Sequence, residues 1–142
     1  MSDYEPKIVA FFCNWCTFTA ADLAGTSRLA YPPNMKIIRM MCSGMVDPKY
    51  VLKSFLNGAD GVLIGGCWPG DCHYINGNLK ARRRVALLTE LLKQYGIGEE
   101  RLWLRWIAAS EGNMLQEVAM EMTDKLKEIG PSPLNKVDQK VI

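Results

Sequence analysis

The stretch Gly61-Val62-Leu63-Ile64-Gly65-Gly66-Cys67-Trp68-Pro69-Gly70-Asp71-Cys72 joins a short apolar run to a loop that carries two thiols. Residues 60–65 are predicted to form a strand, and the similar run over residues 7–12, with no polar residue after Lys7, is typical of a strand buried on both faces of a parallel sheet. The loop glycines allow main-chain N–H groups to come close to whatever the thiols hold. The stretch therefore predicts a strand with a binding loop at its carboxyl end.

Two earlier apolar runs also end on a cysteine. Residues 8–12 lead into Cys13, and residues 35–41 lead into Cys42. Because the carboxyl ends of parallel strands meet at one edge of a sheet, we expect these thiols to share one site with those of the 67–72 loop.

Helix signals follow each of these strands. Thr19, with Asp22 three residues on, resembles a capping box for a helix over about residues 20–30. Asp47 before Pro48 is a strong helix start, and that helix should end at Gly58. Asn78 is the expected N-cap of a helix over residues 79–95. Ser110 or Asn113 should open a last helix, which Gly130-Pro131 should stop.

Residues 102–107 form the fourth predicted strand, and Arg105 places this strand at the sheet edge. Strand and helix then alternate four times, which indicates an α/β domain with a parallel sheet and right-handed crossovers. We predict a flavodoxin-like strand order 2-1-3-4, with one α/β domain over residues 1–130. Residues 131–142 should form an extended C-terminal tail.

Composition limits the classes of function. The chain has 142 residues and a formal net charge of +2, which is too small to imply binding to nucleic acid or to an anionic membrane. No apolar run reaches the roughly 20 residues needed to cross a bilayer. The acidic, polar N-terminus does not resemble a signal peptide, so we expect a cytoplasmic protein. In a reducing compartment, five cysteines favour metal binding or redox chemistry over structural disulfides.

Three thiol chemistries fit this pattern. Thiolates in a pocket of main-chain N–H groups suit an iron–sulfur cluster. A structural zinc site also takes four thiolates, but its ligands usually come as two short-spaced pairs, whereas Cys42 stands alone. The Cys13-Asn14-Trp15-Cys16 segment is similar to a thioredoxin motif, so a dithiol oxidoreductase that uses Cys13 and Cys16 is the alternative. That alternative leaves the other thiols unexplained. A flavin site is weaker still, because the first loop lacks the Ser/Thr/Gly-rich composition that binds FMN phosphate.

Four thiolates saturate one cluster, so one of the five cysteines is left over. Three of the expected ligands end strands, and the fourth is turned back by Pro69-Gly70; these are Cys13, Cys42, Cys67 and Cys72. Cys16 lies further into the next segment and is the expected non-ligand.

Several blocks of the sequence carry a resemblance to a known family. They are Cys13-Asn14-Trp15-Cys16-Thr17, Ala21-Asp22-Leu23-Ala24-Gly25, Arg39-Met40-Met41-Cys42, Gly66-Cys67-Trp68-Pro69-Gly70-Asp71-Cys72-His73-Tyr74, Gly77-Asn78 and Arg82-Arg83. In these blocks the chain resembles the delta (iron–sulfur) subunit of methyl-viologen-reducing hydrogenase, over about residues 7–129. It departs from that family at Trp68, where histidine is common.

The resemblance implies a [2Fe–2S] cluster and a role without bond chemistry of its own. Such subunits relay electrons from a [NiFe]-hydrogenase, or in some complexes a formate dehydrogenase, to the FAD-containing subunit of heterodisulfide reductase. That assembly performs flavin-based electron bifurcation in methanogenic archaea.

Residues around the thiols have two interpretations each. Arg82, Arg83 and Arg84 form either a docking patch for an acidic partner or a solvated helix face. Trp15 and Trp68 either shield the cluster from water or simply pack. His73, the sole histidine, is expected near the cluster or facing a partner, because a Rieske-type site would need two histidines.

Overall fold

A computed structural model describes residues 5–30 and 33–133 of the chain. Within them, four strands alternate with four helices: β1 (Ile8–Cys13), α1 (Thr17–Thr26), β2 (Met35–Met40), α2 (Pro48–Leu56), β3 (Gly61–Gly66), α3 (Gly77–Gln94), β4 (Leu102–Trp106) and α4 (Gly112–Ile129). Two single turns of 3-10 helix, Ser43–Met45 and Glu99–Arg101, precede α2 and β4.

The sheet is parallel throughout and has the strand order β2-β1-β3-β4. Phe11 of β1 pairs with Ile38 of β2 on one side and Ile64 of β3 on the other. The predicted α/β class and the predicted order 2-1-3-4 are both confirmed. The carboxyl ends of β1, β2 and β3 are therefore neighbours.

The core has two layers, one on each face of the sheet. Phe12 and Leu63 point to the layer formed with α1 and α4, and Phe11 and Ile64 point to the layer formed with α2 and α3. Every residue of β3 is buried, and all but one residue of β1 are buried, as the uncharged sequence of β1 predicts. Arg105 lies on edge strand β4, as predicted, with its guanidinium 4.4 Å from the centre of the Trp103 ring.

Four helix starts were predicted, and only the N-cap at Asp47 is confirmed. The N-cap of α4 is Glu111, and not Ser110 or Asn113 as predicted. The carboxylate of Asp47 accepts a hydrogen bond from the Lys49 N–H and caps α2. The capping box was wrong: α1 begins at Thr17, and the Thr19 hydroxyl lies near the carbonyls of Asn14 and Trp15. The cap at Asn78 was also wrong, because α3 already begins at Gly77 and the Asn78 side chain is used elsewhere.

At the amino edge of the sheet, the chain after α4 is fixed by hydrogen bonds. Arg101 donates to the carbonyls of Gly130 and Pro131, and the Ser132 N–H donates to the Asp60 carboxylate at 3.0 Å. Most of the predicted tail, residues 134–142, lies outside the described residues, so a boundary at residue 130 stays a prediction. Among the helices of the described part of the chain, none is long and apolar enough to span a membrane.

Candidate metal centre

All five thiols lie at the carboxyl edge of the sheet. Cys13 ends β1, Cys16 is the residue before α1, Cys42 follows β2, and Cys67 follows β3. The Sγ atoms of Cys13, Cys16 and Cys67 lie within 4.8 Å of one another, and those of Cys13 and Cys67 are 3.5 Å apart. The Sγ atoms of Cys42 and Cys72 form a second group, 3.8 Å apart. None of the five cysteines is in a disulfide.

These separations match thiolates that share a metal ion. Two thiolates bound to one tetrahedral metal at about 2.3 Å lie about 3.8 Å apart. Each of the two groups therefore has the spacing of ligands to one metal. Two such groups side by side have the donor set that a two-metal cluster requires.

Two glycines allow the Cys42–Cys72 group to form. A Cβ atom on Gly77 would lie 2.1 Å from the Sγ of Cys42 and 3.3 Å from that of Cys72. A Cβ atom on Gly44 would lie 2.8 Å from the carbonyl oxygen of Gly77. Only glycine fits at these positions without moving a thiol or the backbone, so the beginning of α3 packs directly against sulfur.

Main-chain N–H groups surround Cys72. Burial by itself would raise the pKa of this thiol, but hydrogen bonds from the N–H groups of Asn78, Tyr74 and Gly77, together with the Cys42 thiol, outweigh burial and lower it. Cys72 therefore ionises more readily than an ordinary thiol, and N–H donors are the groups that stabilise thiolate ligands and tune a bound cluster.

The other thiols are held in a drier environment. Burial is the largest cause of a raised pKa at Cys67, Cys42 and Cys16. Hydrogen bonds oppose it in part, from the Gly44 N–H at Cys42 and from Cys67 at Cys16. Crowded, buried neutral thiols are a suitable resting state for ligands that lose their protons when a metal cation binds.

Sequence reasoning missed two positioning residues. The buried side chain of Asn78 donates to the carbonyls of Cys67 and Trp68, both at 2.9 Å, and accepts from the Leu79 N–H. Buried Thr17 donates its N–H to the Sγ of Cys13 at 3.4 Å, and its hydroxyl lies 3.7 Å from that sulfur. Asn78 therefore fixes the loop that carries Cys67, and Thr17 fixes Cys13. No sequence signal separates this use of Asn78 from an ordinary N-cap.

Aromatic side chains of the thiol loops contact one another and α4. Trp15 stacks on His73 with ring centres 4.0 Å apart and donates to the Tyr74 hydroxyl at 3.3 Å. Trp68 donates to the Glu111 carboxylate at 2.6 Å. Each tryptophan belongs to a thiol loop and remains partly exposed.

The structure brings the predicted ligands together and does not set Cys16 apart. Because α1 begins three residues earlier than expected, Cys16 lies at its first turn, against Cys13 and Cys67. The choice of Cys16 as the non-ligand stays a prediction. The Cys13–Cys16 pair is likewise not isolated, since Cys67 lies 3.5 Å from Cys13, and a dithiol exchange motif would not need that third thiol.

The described part of the chain also has a cavity of about 780 Å³ beside β2, away from the thiols. Lys36, Ile38 and Tyr50 are among its lining residues, and no cysteine is. The cavity also has ionisable lining residues, Glu5, Lys7 and Lys53 among them, but it has no thiol. The thiol chemistry of the molecule therefore lies at the carboxyl edge of the sheet.

Comparison with known proteins agrees with this geometry. The sequence model of the methyl-viologen-reducing hydrogenase delta subunit matches residues 8–130. A relative in Methanococcus voltae, an iron-sulfur subunit of the F420-non-reducing hydrogenase vhc, is 51% identical over 139 residues, which cover 98% of this chain and 96% of the relative. An iron-sulfur subunit of the F420-non-reducing hydrogenase of Archaeoglobus profundus is 50% identical over 129 residues, or 91% and 94% of the two chains.

A different kind of relative contains the same domain within a longer polypeptide. This relative, from Methanosarcina acetivorans, is a subunit of the ferredoxin/F420H2-dependent CoB-CoM heterodisulfide reductase and is 48% identical over 126 residues. The match covers 89% of this chain but 16% of that protein. In that relative, a domain of this kind is covalently joined to the rest of a reductase polypeptide.

Proposed function

The chain belongs to the methyl-viologen-reducing hydrogenase delta subunit family, and on that premise we propose that it is an electron-transfer subunit that carries a [2Fe–2S] cluster. The observation that supports this most is the arrangement of thiols as two neighbouring groups, each with the spacing of ligands to a single metal. A [2Fe–2S] cluster takes up and gives back one electron at a time. The hydrogenase relatives are named as iron-sulfur subunits, which supports the same cofactor class.

The proposed ligands divide between the two groups. Cys42 and Cys72 hold one iron, and Cys13 and Cys67, whose sulfurs are 3.5 Å apart, hold the other. Cys16 is the remaining thiol. Thr17 and Asn78 orient the strand-end ligands, and the N–H groups at the start of α3 stabilise negative charge on Cys72.

The proposed role is to relay electrons within a larger complex. The donor is a [NiFe]-hydrogenase or a formate dehydrogenase, and the acceptor is the FAD-containing subunit of heterodisulfide reductase, in flavin-based electron bifurcation of methanogenesis. The relatives named as hydrogenase subunits support the first contact, and the domain inside a heterodisulfide reductase polypeptide supports the second. Each electron received is passed on, so the chain is unchanged overall and is expected in the cytoplasm.

An anaerobic relay experiment tests this function. The purified chain is reduced with dithionite, freed of excess reductant, and mixed with the oxidised FAD-containing subunit of heterodisulfide reductase from the same source organism. We expect cluster absorbance to return as the flavin absorbance bleaches, with one electron passed per chain. Absence of transfer from a chain that carries a reduced cluster would contradict the relay.

Cysteine substitutions test the ligand assignment. We expect Cys42→Ser and Cys67→Ser to abolish the wild-type spectrum, and Cys16→Ser to retain its iron content and EPR signal. If Cys16→Ser loses the EPR signal and Cys13→Ser retains it, then Cys16 is the cluster ligand and Cys13 is the remaining thiol. A dithiol oxidoreductase gives a different pattern, because its activity survives Cys42→Ser and is lost in Cys16→Ser.

A further inference from the structure

A group of exposed apolar side chains lies beside the thiols. Cys42 and Gly77 line a shallow cavity of about 310 Å³. Met41, Met45 and Tyr74 line the same cavity and are largely exposed, and Ile75 and Leu79 are exposed next to it along the chain. We call these five residues, Met41, Met45, Tyr74, Ile75 and Leu79, the thiol-edge patch.

Ile75 is the most unusual member of the patch. Its side chain is 84% exposed, the largest exposure among the large apolar residues that the structure describes. Its φ angle is 72°, in the left-handed region that a β-branched residue rarely adopts. Glycine or asparagine would fit this backbone at lower cost, so the isolated chain gains nothing from isoleucine here. Strained residues with exposed apolar side chains are found where a partner contributes the missing contacts.

Cations border the patch on one side. Lys80 lines the same cavity, and Arg83 and Arg84 lie three and four residues further along α3, on the same side of the helix. Arg84 donates to the Gly44 carbonyl in the cavity wall. Within residues 5–30 and 33–133, none of these three cations is paired with a carboxylate. The sequence has no acidic residue from Cys72 to Thr89.

We infer that the thiol-edge patch is the surface that docks the FAD-containing subunit of heterodisulfide reductase, through an apolar hollow on that protein ringed by carboxylates. Ile75 is the anchor that enters the hollow, and Lys80 and Arg83 pair with the carboxylates. Apolar anchors at the centre and charges at the rim are the usual arrangement of a specific interface.

The choice of partner has two supports. The unpaired cations select an acidic protein surface. In two Methanosarcina relatives, a domain at least 46% identical to this chain is part of a heterodisulfide reductase polypeptide, so the domain and that reductase act together. A partner seated on the patch also covers Cys42 and Cys72, which gives electrons the shortest way out. The inference rests on the proposed function and deepens it, because it assigns the partner to particular residues.

The experiment compares two ends of the molecule. Ile75→Asp and Ile75→Gly remove the anchor, and the glycine variant also relieves the backbone, so at least one of them folds. Leu56→Asp is the matched control, because Leu56 is 65% exposed and ends α2 at the opposite edge of the sheet. Lys80→Glu with Arg83→Glu reverses the charge at the rim, and Lys53→Glu, also at the end of α2, is its control. The wild type and each cluster-loaded variant are titrated against the purified FAD-containing reductase subunit, in low and in high salt. Separate titrations use the purified hydrogenase subunits and vesicles of anionic lipid.

We expect both Ile75 variants to weaken binding about tenfold or more, as loss of a central anchor does. The charge-reversed variant should bind more weakly at low salt and show a flatter salt dependence. Leu56→Asp and Lys53→Glu should bind like the wild type. The EPR signal of every variant should be the same as that of the wild type. If the wild-type chain loads no cluster, that result contradicts the proposed function and not this inference.

Three results would overturn the inference. In the first, the Ile75 variants bind the reductase subunit as tightly as the wild type does, or their affinity falls no more than that of Leu56→Asp. In the second, the Ile75 variants still bind the reductase subunit but no longer bind the hydrogenase subunits, which would assign the patch to the electron donor. In the third, the wild type binds vesicles of anionic lipid through Ile75 and has no measurable affinity for the reductase.

Discussion

The two edges of the sheet use buried polar groups in opposite ways. At the amino edge, the Asp60 carboxylate accepts from the N–H groups of Lys7 and Ser132, and Arg101 donates to three carbonyls. At the carboxyl edge, the five thiols form two groups, and within each group the thiols lie at distances suited to one metal. At the amino edge the polar groups join backbone segments to one another, whereas at the carboxyl edge the thiols lie in two groups.

This difference separates structural from functional polar groups. A buried charge that accepts hydrogen bonds from the backbone of two separate segments holds those segments together. Thiols gathered at strand ends gain little from one another, because sulfur is a weak donor and a weak acceptor. Their assembly is explained by what they bind. Each prediction below perturbs one edge and reads the effect on both.

The largest expected effect comes from Gly77→Ala. The new Cβ atom would lie 2.1 Å from the Sγ of Cys42, so either the thiol or the start of α3 must move. We expect loss of most of the bound iron, measured per chain after anaerobic reconstitution. Gly25→Ala is the matched control, because Gly25 is in α1 and a Cβ atom there meets nothing within 4 Å. Full iron content in Gly77→Ala would mean that the Cys42–Cys72 group is not a ligand pair.

A smaller effect, on stability alone, is expected from Asp60→Asn at the amino edge. The two oxygens of the Asp60 carboxylate accept from the N–H groups of Lys7 and Ser132, but the amide of asparagine has a single accepting oxygen. One of these backbone N–H groups therefore loses a charge-assisted hydrogen bond. We expect the free energy of unfolding in urea to fall by about 2–3 kcal/mol. Iron per folded chain should stay at the wild-type value. Asp124→Asn, on the exposed side of α4, is the control, with a change within about 0.5 kcal/mol. Iron loss from the folded Asp60→Asn chain would show that the two edges are coupled.

The smallest effect concerns reaction rates within the carboxyl edge. Cys16 and Cys72 are both half-buried, but the pKa of Cys16 is raised and that of Cys72 is lowered. The thiolate is the reactive form, so in the cluster-free chain iodoacetamide should alkylate Cys72 several-fold faster than Cys16 near pH 7.5. The ratio should shrink as the pH rises, because Cys72 becomes fully ionised first. Peptide mass spectrometry at several pH values measures both rates, and faster alkylation of Cys16 would contradict the assigned N–H donors.

The fold was largely predictable because burial leaves a direct record in sequence. The runs that became β1 and β3 have no charged residue, and Arg105 marked β4 as an edge strand. The closeness of the thiols could be predicted from their positions at the ends of strands, because parallel strands place their carboxyl ends at one edge of the sheet.

The details that escaped prediction depend on tertiary contacts. Asn78 reads as an N-cap because it precedes a helical pattern, yet its amide binds carbonyls ten and eleven residues earlier in the chain. Cys16 was expected outside the ligand group because it lies past the end of β1. A helix that begins three residues early returns its sulfur to Cys13. Ile75 gave no signal, since its backbone angle is set by the turn between Cys72 and α3.

The most direct test of the central claim is anaerobic analysis of iron, acid-labile sulfide and zinc in the purified chain, with EPR of the dithionite-reduced sample. The account predicts two irons and two sulfides per chain, no stoichiometric zinc, and one unpaired spin after reduction. A colourless chain with one zinc, or with neither iron nor sulfide, would contradict it.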